Sequence, residues 1–331
     1  MDGIEFDDNM AENGVIHSRA LGVLLKGHMD DLQPSLLSFI SAAVAQCLGT
    51  GLPQVHDWTE VNSFDFATRV VTRANVVVFF GPQSASDPAF VNTAMQYPND
   101  LFITAELLRM LPESTRPFAA RLLKRKFNSP DRLVRYLVPL VEERIAELAA
   151  GSGQHHLDLI QFFITSNRRK GMWSARKIVQ VILGVWFASV HQPALTLVNI
   201  LDDCSTQPEA SKLVREEIFG MMNAYKVPVN VEQLPFLDSF LRESARLHPT
   251  DSITARRIAI KPFTFRDGTR LEKNDVVCIP LEAIMKDQRH FPHSDSFDMY
   301  RHINLESMTL RSRFSEPGPD FPLWGLGRHA W

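Results

Sequence analysis

The sequence predicts a mainly α-helical fold with a small β region near its C-terminus. Three observations carry this. Apolar residues recur at helical spacing in long stretches from about His17 to Leu247. After Pro249 the texture changes to alternation, in SITARRIAI and FTFRDGTRLEKNDVVCIP, where Asp267-Gly268 is a hairpin signal. From Asp287 onward the chain is rich in His, Pro and Asp and reads as coil.

The elements follow in order. Residues 1–14 are acidic and polar and read as a flexible arm, neither signal peptide nor membrane anchor. RALGVLLKGHMDDL and LLSFISAAVAQCL are helical, and Thr50-Gly51-Leu52-Pro53 ends them by turn chemistry. Trp58 to Phe80 is rich in valine; its period leaves strand and helix open, its length favours helix, and Gly81-Pro82 is expected to close it. Asp87 caps a helix with Pro88 in its first turn that runs to Leu111. Ser129-Pro130 opens an amphipathic helix ended by Gly151, and HLDLIQFFITSN forms a shorter one. Trp173 to Cys204 is a long helix. Its stretch from Ile178 to Leu201 has no charged residue, enough for a membrane span of ~20 apolar residues. Gln180, Asn199 and the His191-Gln192-Pro193 break favour a helix buried in a large core instead. Pro208 to Ala224 is amphipathic, and Leu234 to Leu247 ends at His248-Pro249. No linker stands out, so one domain over 1–331 is expected.

Composition narrows the function. With 331 residues, 45% of them hydrophobic, and a net charge of −3, the chain has no basic excess for nucleic acid. Cys47, Cys204 and Cys278 form no CxxC and no disulfide framework, which fits a reducing compartment.

Three constellations carry chemistry. Glu243 and Arg246, in FLRESARLHP, are three apart and share a helix face. Such a pair alone is ordinarily a solvated surface pair. Arg301 follows in FDMYRH, and Phe321 to Trp331 reads FPLWGLGRHAW. Taken in this order and spacing, the three segments resemble the C-terminal third of a cytochrome P-450, a haem-thiolate monooxygenase, of the kind found in fungal secondary metabolism. The resemblance is specific over the last ~90 residues and diffuse before them, back to about His17.

The resemblance implies a partial cytochrome P-450 fold and assigns roles. Glu243, Arg246 and Arg301 would form a structural charge cluster that holds the haem-side coil; the family's motif ends in an aromatic where this chain has His302. Arg256, seven residues after Pro249, would contact a haem propionate, with Arg257 competing and a plain surface arginine as the alternative. Phe321, Gly325 and His329 would belong to the haem-binding loop, His329 on a propionate. The proximal ligand position falls on Trp331, and a neutral indole cannot replace the thiolate; no other metal site is expected. His191 and Gln192 would take the acid and Thr positions that deliver protons to bound oxygen, with a core histidine as the alternative.

The implied function is oxidation of terpenoid or indole-diterpenoid molecules, with haem as cofactor and electrons from NADPH through an NADPH–cytochrome reductase. The expected partners are that reductase and a small hydrophobic substrate, not nucleic acid. The family implies the cytoplasmic face of the endoplasmic reticulum; the sequence is expected to lack the N-terminal anchor and the C-terminal ligand segment, so a cytoplasmic chain stays open. Two rivals also stay open: a haem-free remnant and a non-enzymatic helical binding protein on the same scaffold.

Overall fold

A computed structural model describes residues 20–25, 27–48, 60–151, 156–167, 173–225 and 233–326. The chain divides into two compact units, Met1–Ala194 and Leu195–Trp331, and the division falls inside one long helix.

The first unit is helical. A π-helical turn, Ala20–Leu25, precedes α1 (Met29–Leu48), α2 (Ser63–Ala85), α3 (Pro88–Arg109), α4 (Arg116–Lys126), α5 (Ser129–Ala150), α6 (Leu159–Asn167) and the first part of α7 (Ala175–Thr206). The valine-rich stretch is therefore helix, as its length favours. Helix α2 packs against α1 and α3, and α3 packs against α5. Their shared core centres on Trp186, which is fully buried, meets Phe79 edge-to-face and Phe80 at a tilt, and donates its indole N–H to the Ala94 carbonyl at 2.9 Å.

Gly81-Pro82 closes the first helical run of α2, as expected, and a kink there joins it to a short second segment. Gly81 takes φ 83° and ψ 166°, and helical structure resumes to Ala85. The Asp87 side chain caps α3 by accepting from the Ala89 N–H at 2.9 Å, and Gly151 ends α5 at φ 71°. Helix α4 has no reading in the sequence. None of its residues is buried, so no apolar stripe marks it.

The long helix buries Ile178, Val179, Val181, Ile182, Leu183, Val185, Trp186, Val190 and Ala194 in this unit. Among the described residues, α7 is the one helix long and apolar enough to cross a membrane, with mean hydropathy 1.6, and half of that window is buried in the protein.

The second unit holds the end of α7, then α8 (Pro208–Tyr225) and α9 (Pro235–Leu247). Six short strands follow: β1 (Thr254–Ile258), β2 (Phe263–Thr264), β3 (Arg270–Leu271), β4 (Val276–Ile279), β5 (Ile303–Asn304) and β6 (Thr309–Leu310), with α10 (Leu281–Met285) after β4. They pair as three antiparallel ribbons: β1 with β4, β2 with β3, and β5 with β6. Gly268, at φ 89°, turns the β2–β3 hairpin. The ribbon β5–β6 lies in the tail expected to be coil, because two-residue strands are too short to show a period.

Helix α9 starts without a cap of its own. Leu234 at its N-cap makes no side-chain bond, so two exposed N–H groups need a partner from elsewhere. Glu217 of α8 supplies it, accepting from Phe236 and Leu237 at 3.0 Å each. Burial pushes the Glu217 carboxyl up, and the two N–H bonds offset part of that.

Candidate functional site

The inward face of α9 carries a carboxylate with five donors. Glu243 is fully buried. Its Oε1 accepts from Arg246 Nη2 at 2.8 Å, from Arg301 Nε at 3.0 Å and from the Asp298 backbone N–H at 3.1 Å. Its Oε2 accepts from Arg246 Nε at 2.8 Å and sits 3.2 Å from His302 Nε2, which must carry the proton to bond there. Burial alone would raise the Glu243 carboxyl. The bonds from Arg246 and His302 and the charges of Arg246 and Arg301 outweigh it and bring it to about 2.

The arginines use their remaining nitrogens on backbone carbonyls. Arg246 donates to Met285 at 2.8 Å and Ser294 at 2.7 Å. Arg301 donates to Pro292 at 2.8 Å and reaches His293 and Ser296 at 3.4 Å. Ser239, one turn before Glu243, donates its hydroxyl to the Met299 carbonyl at 2.6 Å. The coil from Pro292 to Arg301 is therefore clamped to α9 by side chains, with little regular ladder of its own.

A second anchor on the same helix holds the segment that leads to the last residues. Arg242 donates to the carbonyls of Arg313 and Glu316, the latter at 2.9 Å, and its guanidinium lies 3.8 Å from the Phe321 ring centre. Asp238 accepts from the Phe314 N–H at 2.6 Å. Trp324 donates to the Phe314 carbonyl at 2.7 Å. Phe321 is fully buried in a small core with Ala245, Leu281, Met285 and Leu323. Gly325 takes φ 85°, a conformation that favours glycine.

The candidates named from sequence thus distribute unevenly. Glu243, Arg246 and Arg301 meet in one cluster, and Phe321 lies under Arg242. Arg256 is exposed on β1. His191 is half-buried on α7, and burial lowers its imidazole; Gln192 follows it, ahead of Pro193 within the helix. His329 and Trp331 lie outside the described residues, as do Gly327, Arg328, residues 1–14 and the Thr50–Pro53 turn. Sequence reasoning misses Arg242, Asp238 and Glu217, whose partners are backbone groups with no signature of their own. For His302 the signal is present: a polar residue stands beside Arg301 where the resembling motif has an aromatic.

The donor set can be tested against a thiolate-bound haem. Cys47 is half-buried on α1, Cys204 is half-buried near the end of α7, and Cys278 is exposed on β4. Burial pushes the Cys204 thiol up, away from the thiolate form. None of the three lies between Phe321 and residue 331, and residue 331 is Trp. These residues do not fit a haem held by a thiolate from that loop.

Comparison with known proteins agrees with the architecture. The family model for cytochrome P-450 matches residues 30–314. The monooxygenase paxP of Penicillium paxilli is 26% identical over 282 residues, covering 82% of this chain and 54% of the relative. Ent-kaurene oxidase of Gibberella intermedia is 27% identical over 339 residues, covering 99% and 62%. The monooxygenase ausG of Emericella nidulans is 30% identical over 285 residues, covering 83% and 53%. The chain therefore spans between about half and three fifths of these relatives' length. Among solved structures, the haem domain of cytochrome P-450DA superposes with a TM-score of 0.72 at 14% identity, covering 99% of this chain and 67% of that one. A zebrafish cytochrome P-450 solved with progesterone gives 0.69 at 17%, covering 96% and 70%. With the family model spanning most of the chain and the same fold in these structures, the chain belongs to the cytochrome P-450 family.

Proposed function

We propose that this chain is the scaffold of a monooxygenase-type protein of fungal secondary metabolism, acting on small hydrophobic molecules of the terpenoid or indole-diterpenoid class. The observation that carries the reading is the five-donor Glu243 cluster, which clamps the coil of Pro292 to Arg301 onto α9 in a chain of this family. A relative named as an ent-kaurene oxidase supports the terpenoid class, and relatives named as cytochrome P-450 monooxygenases support the reaction type. The family implies haem, and we assign the electron supply to NADPH through a partner reductase at the endoplasmic reticulum. His191 and Gln192 would handle protons, and Arg256 and His329 would face the propionates.

Trp331 favours a second reading. Without a thiolate from that position, the same scaffold would be a haem-free binding protein for similar hydrophobic molecules.

One experiment separates them. The chain is expressed with haem precursor and a fungal reductase, and its haem content and reduced CO spectrum are recorded beside turnover of a terpenoid mixture. A thiolate-type Soret band with NADPH-dependent oxygenated product supports the first reading. Terpenoid binding by a haem-free chain supports the second. A haem-free chain that binds no hydrophobic molecule sinks both.

A further inference from the structure

Pro193 sits inside α7 and has no backbone N–H. In a continuous α-helix the Ser189 carbonyl would accept from residue 193. Proline thus removes that donor at a place where Ser189 is 8% exposed and water has little access. The Ser189 hydroxyl cannot compensate. It is itself a donor to the Val185 carbonyl, at 2.9 Å.

The missing donor comes from another helix. The side-chain amide nitrogen of Asn75, on α2, lies 2.5 Å from the Ser189 carbonyl oxygen. A carbonyl only accepts, so the amide must present its NH2 group there. The register follows from packing. Trp186 of α7 meets Phe79 and Phe80 of α2, with ring centres 5.2 and 5.0 Å apart. Asn75 precedes Phe79 by one turn and Ser189 follows Trp186 by about one turn, so the two helices run antiparallel here. The aromatic contact sets the height at which the amide meets the carbonyl.

We propose that Asn75 is a positioning residue: its amide replaces the hydrogen bond that Pro193 removes, and so holds the turn of α7 that presents His191 and Gln192. Those two residues lie between the latched carbonyl and the proline ring. Their backbone is fixed from one side by a hydrogen bond to α2 and from the other by the locked φ of Pro193. If the amide is removed, water becomes the remaining donor for the carbonyl. A hydrated turn would lose the burial that lowers the His191 imidazole. The chemical importance of His191 rests on the proposed function; the latch itself does not.

A double-mutant cycle on the full 331-residue chain tests the latch. Asn75→Ala should raise the unfolding equilibrium constant about tenfold, because the Ser189 carbonyl loses its protein donor and the turn must take in water. Asn75→Asp, of the same shape without the donor, should do at least as much. Pro193→Ala returns an N–H to position 193, and in that background Asn75→Ala should change the constant less than about threefold. Equal losses in both backgrounds overturn the proposal. If Asn75→Ala alone does not fold, folding of the double variant supports the latch and its failure overturns it. The positioning role is read by NMR titration of His191: Asn75→Ala should raise its pKa toward 6.5, and Pro193→Ala should bring it back down. An unmoved titration overturns that role. The cycle needs no turnover, so its failure leaves the monooxygenase reading standing, and a chain without haem but with an intact cycle sinks only that reading.

Discussion

Arg144 Nη1 reaches both carboxylate oxygens of Asp158, at 2.6 and 2.7 Å, in a pair whose side chains are 5% and 1% exposed. Asp158 also caps α6, accepting from the Gln161 N–H at 2.9 Å. The pair has no freedom to retreat, and Gly81 of α2 comes up against it. A Cβ on Gly81 would stand 2.7 Å from Asp158 Oδ2.

Gly81→Ala should therefore destabilise twice over. The left-handed φ costs about 1–3 kcal/mol for a residue with a side chain, and the methyl must also displace a buried ion pair. Gly151→Ala is the control, since its φ is also positive but its Cβ would meet nothing within 4 Å. Denaturant midpoints should show a clearly larger shift for Gly81→Ala. Equal shifts would mean that the close approach has no energetic weight.

Glu243→Gln should lose soluble, cooperatively folding protein. Breaking a buried ion pair by removing one partner costs about 3–5 kcal/mol, a large share of the about 5–15 kcal/mol that holds a typical domain. Arg246 and Arg301 would both be left beside a neutral amide. Near-normal yield with a sharp unfolding transition would show that their backbone carbonyl partners suffice.

How much of this was legible in the sequence depends on where each partner sits. The nearness of Glu243 and Arg246 is local, since three residues along a helix always share a face. Arg301 is distant in sequence and is reached through the resemblance of FDMYR, not through any period. The carbonyls that receive Arg242, Arg246 and Arg301 belong to residues of any type, so nothing in the chain announces them. The same holds for the long helices against α4: burial imprints a stripe, and a helix with no buried residue leaves none.

His302 should make stability fall in mild acid. Burial lowers its imidazole below the ordinary value of 6.5, and the bond to Glu243 only partly opposes this. The charges that act on it include Glu243, Arg242, Arg246 and Asp238. The neutral form is the one the fold prefers, so protonation favours the unfolded chain. The contribution is full above 6.5 and is lost as pH drops below it, with a slope of at most about 1.4 kcal/mol per pH unit for one proton. His191 acts with the same sign, so the measurement is a difference. His302→Phe should flatten the stability–pH curve below 6.5, and an unchanged slope would remove His302 from the acid response.

Glu217→Ala should fray the start of α9, because both capped N–H groups would lose their acceptor. Loss of a helix cap costs about 0.5–2 kcal/mol. Hydrogen exchange at Phe236 and Leu237 should speed up while the amides near Arg246 stay protected. Uniform acceleration along α9 would point to global loosening instead.

The clamp on the Pro292–Arg301 coil has a consequence for mutational tolerance. Arg246 and Arg301 grip main-chain oxygens of Pro292, His293, Ser294 and Ser296, and those oxygens are the same whatever side chain hangs beside them. The coil can change its residues without losing its anchorage as long as its backbone path survives. The information that fixes residues 292–300 is thus stored in Glu243 and Arg246 of α9 and in Arg301 at the segment's end, and a saturation library should find residues 292–300 more permissive than those three positions.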